Sequence, residues 1–113
     1  GMRVHYHDIG SGEPVLLLNY LHQPAATPYH QQGPIFVGRG HAAYEARTLG
    51  PALKRRVLSL RGFDAAGAMI EAEVVSGDEA DGVIADFFAN PNVAYIHAHY
   101  AKRGCYAARI DRG

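Results

Sequence analysis

Tyr95-Ile96-His97-Ala98-His99-Tyr100 is the stretch whose residue types and spacing could do chemistry. On a strand, successive side chains point to opposite faces, so Tyr95, His97 and His99 share one side. Two residues along a strand rise about 6.5–7 Å. Imidazoles at that spacing can converge on a divalent metal, or one ring can orient the other around a bound anion, and both titrate near physiological pH. The plainer reading is two rings on a partly wet sheet face with no task. A metal on His97 and His99 would want a third ligand, and no downstream Glu or His stands at a helpful spacing.

The next hairpin decides what meets those rings. A three-residue loop at Lys102 to Gly104 pairs Ala101 with Cys105, which sets His99 opposite Ala107 and His97 opposite Arg109. A shift of one residue would turn Cys105, Ala107 and Arg109 to the far face. Gly104 suits a positive φ in that turn. Cys105 near His and Arg could be a nucleophile of lowered pKa; a lone cysteine is as readily a small buried side chain. Arg109 can hold a carboxylate or phosphate in its planar fork, or pair with an acid on the sheet. Arg103 would stand at the rim, and Tyr95 could line the cavity.

Other motifs carry less. His5-Tyr6-His7 reads as a frayed terminal segment; paired beside the histidine strand, it would make a four-imidazole site. His22, His30 and His41 fall in or beside loops and read as surface residues. Gly38-Arg39-Gly40-His41-Ala42-Ala43 imitates a dinucleotide-binding turn, but Gly50-Pro51 would break its helix and the rest of the chain looks antiparallel. Lys54-Arg55-Arg56 with Arg61 is a basic cluster, whereas residues 64–86 hold seven acids and neither Lys nor Arg.

The elements that must position these groups follow from periodicity. Val15 to Tyr20 and Pro34 to Val37 read as strands. Leu21 to Gly33, with Pro24 and Pro28, reads as a long loop that could carry Tyr29 as a lid. Val57 to Phe63 and Ala68 to Val75 read as a hairpin. In its second strand Met69, Glu71 and Glu73 alternate with Ile70, Ala72 and Val74, implying one wet and one buried face. Ser76-Gly77-Asp78-Glu79 has the form of a capping box. Val83, Ile84, Phe87 and Phe88 then make an apolar stripe, and Asn90-Pro91 stops the helix. Val93 to Tyr100 and Cys105 to Ile110 close the chain as strands. The expectation is an α+β fold in one domain, 1–113. It has a largely antiparallel sheet, a well-formed helix at about 78–89 and a short irregular helical region at about 41–56.

The chain has 113 residues and a mass of 12.2 kDa, enough for a core without staples. Eleven basic and eleven acidic residues give a formal charge of zero, which argues against a nucleic-acid binder. Hydrophobic residues make up 48% and charged residues 19%, a globular rather than a disordered composition. One cysteine fits a reducing compartment, and no apolar run approaches a membrane span. We therefore expect a cytoplasmic protein, with Gly1 before Met2 reading as a tag remnant.

The segments Gly12-Glu13-Pro14-Val15-Leu16-Leu17-Leu18, Pro28-Tyr29, Gly33-Pro34-Ile35-Phe36-Val37 and Leu58-Ser59-Leu60-Arg61 resemble a bacterial family. So, above all, does His97-Ala98-His99-Tyr100-Ala101-Lys102-Arg103-Gly104-Cys105-Tyr106-Ala107-Ala108-Arg109. The family is catalogued as domain of unknown function 1203. The resemblance covers nearly the whole chain, and its specific part is the His-x-His with Arg-Gly-Cys-aromatic-x-x-Arg. It implies a bacterial origin and a shared core, but no reaction.

Three functions stay open. The first is a small-molecule site, enzymatic or not. There His97 and His99 would be acid–base or ligand groups, Arg109 and Arg103 the anion binders, Cys105 a nucleophile or packing residue, and Tyr95 and Tyr29 the lining. The second is a homodimeric module joined at a strand edge. The third is a metal site on His97 and His99.

Overall fold

Alternation along β5 (Val57–Phe63) divides the molecule. Leu58 and Leu60 turn to one face and are fully buried, while Ser59, Arg61 and Phe63 turn to the other. The computed structural model describes residues 2–6, 15–38 and 44–113. Around β5 runs a six-stranded sheet in the order β4-β1-β8-β7-β5-β6. Its members are β1 (Met2–Tyr6), β4 (Tyr44–Ala46), β6 (Met69–Ser76), β7 (Tyr95–Tyr100) and β8 (Tyr106–Arg112), and every pairing is antiparallel. A separate hairpin joins β2 (Val15–Gln23) to β3 (Gln31–Gly38).

One face of the large sheet is the core. Val4, Leu58, Leu60, Ile96, Ala98, Ala108 and Ile110 project there and pack with Leu49, Val93, Leu53 of α1 (Pro51–Lys54), and Ile84 and Phe87 of α2 (Ala80–Ala89). Each large apolar side chain so buried contributes roughly 1.5–3 kcal/mol. Val83 and Phe88 complete the apolar stripe of α2 as partly buried neighbours. Arg112 ties off the helix: it donates to Phe88 O (2.9 Å), Asn90 O (3.0 Å) and Val93 O (2.8 Å), satisfying carbonyls that the helix end leaves open.

Several sequence expectations need correction. The capping box does not form. Ser76 makes no side-chain cap, its hydroxyl turns to the Asp78 carboxylate, and a 3-10 turn (Gly77–Glu79) precedes α2. The helical region expected at 41–56 is helical only over Pro51–Lys54; Tyr44–Ala46 is a strand drawn into the sheet by β1. The start of that region, and His7 and His41, lie outside the described residues. The long loop expected at 21–33 is shorter, because Leu21 to Gln23 and Gln31 to Gly33 extend the hairpin and leave 24–30 as the connection. Met2–Tyr6 is not a frayed terminus but pairs with both β4 and β8. In β6 the alternation is present without a well-buried face. It is an edge strand of the sheet; only Val75 is buried, and Val74 is 62% exposed. No helix among the described residues is long and apolar enough to cross a membrane.

Candidate functional site

The other face of the sheet carries the polar groups. Antiparallel register sets Ser59 opposite His99, Arg61 opposite His97 and Phe63 opposite Tyr95, so β5 and β7 present two facing rows. From the other side β8 sets Arg109 opposite His97, as the sequence predicts. Opposite His99 the expectation fails. A bulge between Ala98 and His99 brings Tyr106, not Ala107, to that position. The extra residue re-aims the strand, and an aromatic side chain arrives on the histidine side.

The β2–β3 hairpin lies over these rows. Its His22, read from sequence as a surface residue, is only 6% exposed. Its ring stacks on Tyr106 at 5.0 Å and 13°, and meets His99 edge-on at 5.0 Å and His97 at 6.0 Å. Gln23 exchanges hydrogen bonds with the Tyr95 hydroxyl at 2.9 and 3.2 Å. The tip is pinned where Thr27 donates to Gly67 O at 3.2 Å. Between hairpin and sheet is a cavity of about 330 Å³. Its described lining includes His22, Gln23, Tyr29, Gln31, Arg61, Phe63, Met69, His97 and His99.

Hydrogen bonding assigns the protons. His99 Nδ1 is 2.8 Å from Gly104 O, a pure acceptor, so Nδ1–H donates and Nε2 keeps its lone pair, 3.5 Å from Arg61 Nη1. Gly104 reaches that place through the positive φ of 77° expected of it. His22 Nε2 donates to Gln31 Oε1 at 3.2 Å; His97 Nδ1 is buried and unpartnered.

Burial sets the charges. His97 and His99 are each 1% exposed. Burial first, then His99, His22, Arg109 and Arg61, push His97 down to about 3. Burial lowers His99 to about 4 against the opposing Gly104 bond, with Arg61 and His22 pushing the same way as burial. His22 is lowered chiefly by burial, and burial pushes the Tyr106 hydroxyl up. All three imidazoles are therefore neutral at pH 7. Arg61 is lowered by burial alone and stays cationic. Its partners are neutral and distant: Ser59 Oγ at 3.3 Å and Gln31 Oε1 at 3.4 Å. No carboxylate is among the described lining residues.

His97, His99 and Tyr29 are thus brought together as the sequence suggests. Tyr95 stands behind them, stacked on Phe63 at 5.3 Å. Arg109 takes the alternative reading: it pairs with Asp111 at 3.0 Å, lies over the Tyr95 ring at 4.2 Å, and lines no part of the cavity. Arg103 is an exposed turn residue, and Cys105 a half-buried free thiol; neither belongs to the lining. His5 sits 3.0 Å from Asp111, and β8 separates β1 from β7, so no four-imidazole site arises with it. Among the described residues no group of three or more His, Cys, Asp or Glu is placed to hold a metal ion.

Sequence reading missed Arg61, His22, Gln31 and Tyr106. Arg61 had a usable signal, since alternation in β5 already sets it on the face opposite Leu58 and Leu60. No curated protein and no solved structure matches the chain. A family model does, over residues 1–112, and the chain belongs to the family it describes, the protein of unknown function DUF1203.

Proposed function

We propose that this protein binds a small anion in the cavity under the hairpin, with Arg61 as its charged anchor and His99, His97 and Gln31 around it. The observation that carries the reading is the Arg61 guanidinium: half-buried, weakly bonded, and without a carboxylate to neutralise it. A desolvated cation with replaceable partners gains most from an incoming anion. Binding comes before catalysis in this reading. An acid–base histidine works best with a pKa near the working pH, and His97 and His99 rest well below it. The test is a titration of acetate, benzoate and inorganic phosphate followed by amide and imidazole NMR shifts. At least one anion should bind and perturb His99 and Arg61, and Arg61→Gln should weaken it tenfold or more. Unchanged affinity in that variant would overturn the assignment.

A second reading, association of two copies along β6, is favoured by that edge strand and by exposed Ile70 and Val74 upon it. Glu71 and Glu73 on the same strand oppose it. Light scattering across concentration tests it, and a monomer throughout would end it.

A further inference from the structure

The cavity has two unlike ends. Along β5, Arg61 and Phe63 are one strand step apart on the same face, about 6.5–7 Å. Around Arg61 are Gln31 and His99, all hydrogen-bonding groups. Around Phe63 the lining is more apolar: Tyr29 meets its ring edge-on at 6.3 Å and Met69 stands opposite it in the register, while the His97 ring lies 5.0 Å from it. Tyr29 is 40% exposed, so part of its surface remains to be covered.

Resting on the anion-binding reading above, we infer that the ligand is a small monocarboxylate with a flat aromatic body, its carboxylate on Arg61 and its ring against the part of the lining formed by Tyr29, Met69 and Phe63. Three observations select this class. The cavity of about 330 Å³ has room for a ring that carries a carboxylate, and the apolar side chains of Pro28, Tyr29, Phe63 and Met69 form part of its lining. The described lining offers one fixed cation, which balances one negative charge rather than two. An Arg fork matches the planar carboxylate, and an aromatic ring favours offset or edge-on packing against Phe63 and Tyr29.

Benzoate is the probe, set against acetate and inorganic phosphate in calorimetric titrations of the full chain at pH 7. Benzoate should bind at least tenfold more tightly than acetate and phosphate. Tyr29→Ala, at an exposed position, should weaken benzoate about threefold or more and weaken acetate less than benzoate. If acetate equals benzoate, or phosphate exceeds it, the aromatic carboxylate is overturned while the anion site stands. If Tyr29→Ala leaves benzoate unchanged, the ring placement is overturned. If none of the three anions binds, this inference falls together with the reading beneath it.

Discussion

The two faces of the large sheet are built from the same strands yet obey different rules. On the helix side, Leu58, Leu60, Ile96, Ala98 and Ile110 are fully buried against α2 and carry no polar side-chain atom. On the hairpin side, His97 and His99 are as well buried but titratable, and the buried Nδ1 of His97 lacks a partner. The first arrangement stabilises the fold by removing apolar surface from water. The second burdens it, because a buried unpartnered nitrogen costs roughly 1–3 kcal/mol. A face that gives up stability in this way is where a ligand has something to complete.

The largest expected difference between the faces is mechanical. Leu60→Ala should destabilise the protein by about 2–5 kcal/mol, through lost transfer energy and the cavity left behind. His97→Leu at pH 7 removes an unpartnered polar atom and should leave stability unchanged or slightly raised. Urea denaturation of both variants checks the pair. If His97→Leu costs as much as Leu60→Ala, the hairpin side is core in all but composition, and the contrast fails.

Acid should separate the faces next. Buried His97 and His99 titrate near 3 and 4 in the folded protein but near 6.5 when unfolded. Between those values the unfolded chain binds more protons, so stability falls as pH falls. The full contribution is present above about pH 6.5 and lost on descent towards 4 for His99 and towards 3 for His97. Each histidine adds a slope of up to about 1.4 kcal/mol per pH unit. Urea midpoints measured from pH 7.5 to 4.5 should show this slope, and His97→Leu should make it shallower. Anion affinity should move the opposite way, strengthening as pH falls from 7 towards 5, because a bound anion favours the protonated rings. A slope unaltered in His97→Leu would place the acid sensitivity elsewhere.

The helix side was also the more legible from sequence, for a physical reason. Its signals are local: a stripe at Val83, Ile84, Phe87 and Phe88, and a stop at Asn90-Pro91. The His97–Arg109 register was readable because a hairpin with Gly104 in its turn pairs near neighbours. What escaped was set by distance or irregularity. Arg61 meets His97 across a pairing of β5 with β7 that no local pattern dictates. His22 reaches the site because the hairpin strands run on through 21–23. Tyr106 faces His99 through one extra residue, which leaves no mark in composition.

Two glycines test how the hairpin side is held together. Both have positive φ, 86° at Gly67 and 77° at Gly104, so alanine is strained at either. Only at Gly67 would the added Cβ collide, with Ala25 Cβ at the hairpin tip, whereas at Gly104 nothing lies within 4 Å. Gly67→Ala should therefore push the tip off the turn between β5 and β6, open the cavity and weaken anion binding severalfold as well as lower the melting temperature.

Gly104→Ala is the smallest effect and the sharpest control. With free space around the new methyl, its cost should be the backbone term alone, about 1 kcal/mol. Its carbonyl fixes the Nδ1 proton of His99, so a shifted turn would also change the His99 tautomer, visible in the ring nitrogen shifts. A stability loss with an unaltered His99 signature means that the turn gives way without moving the site. An altered signature with little loss means that the last hairpin, not the overlying β2–β3 arm, sets which nitrogen faces Arg61.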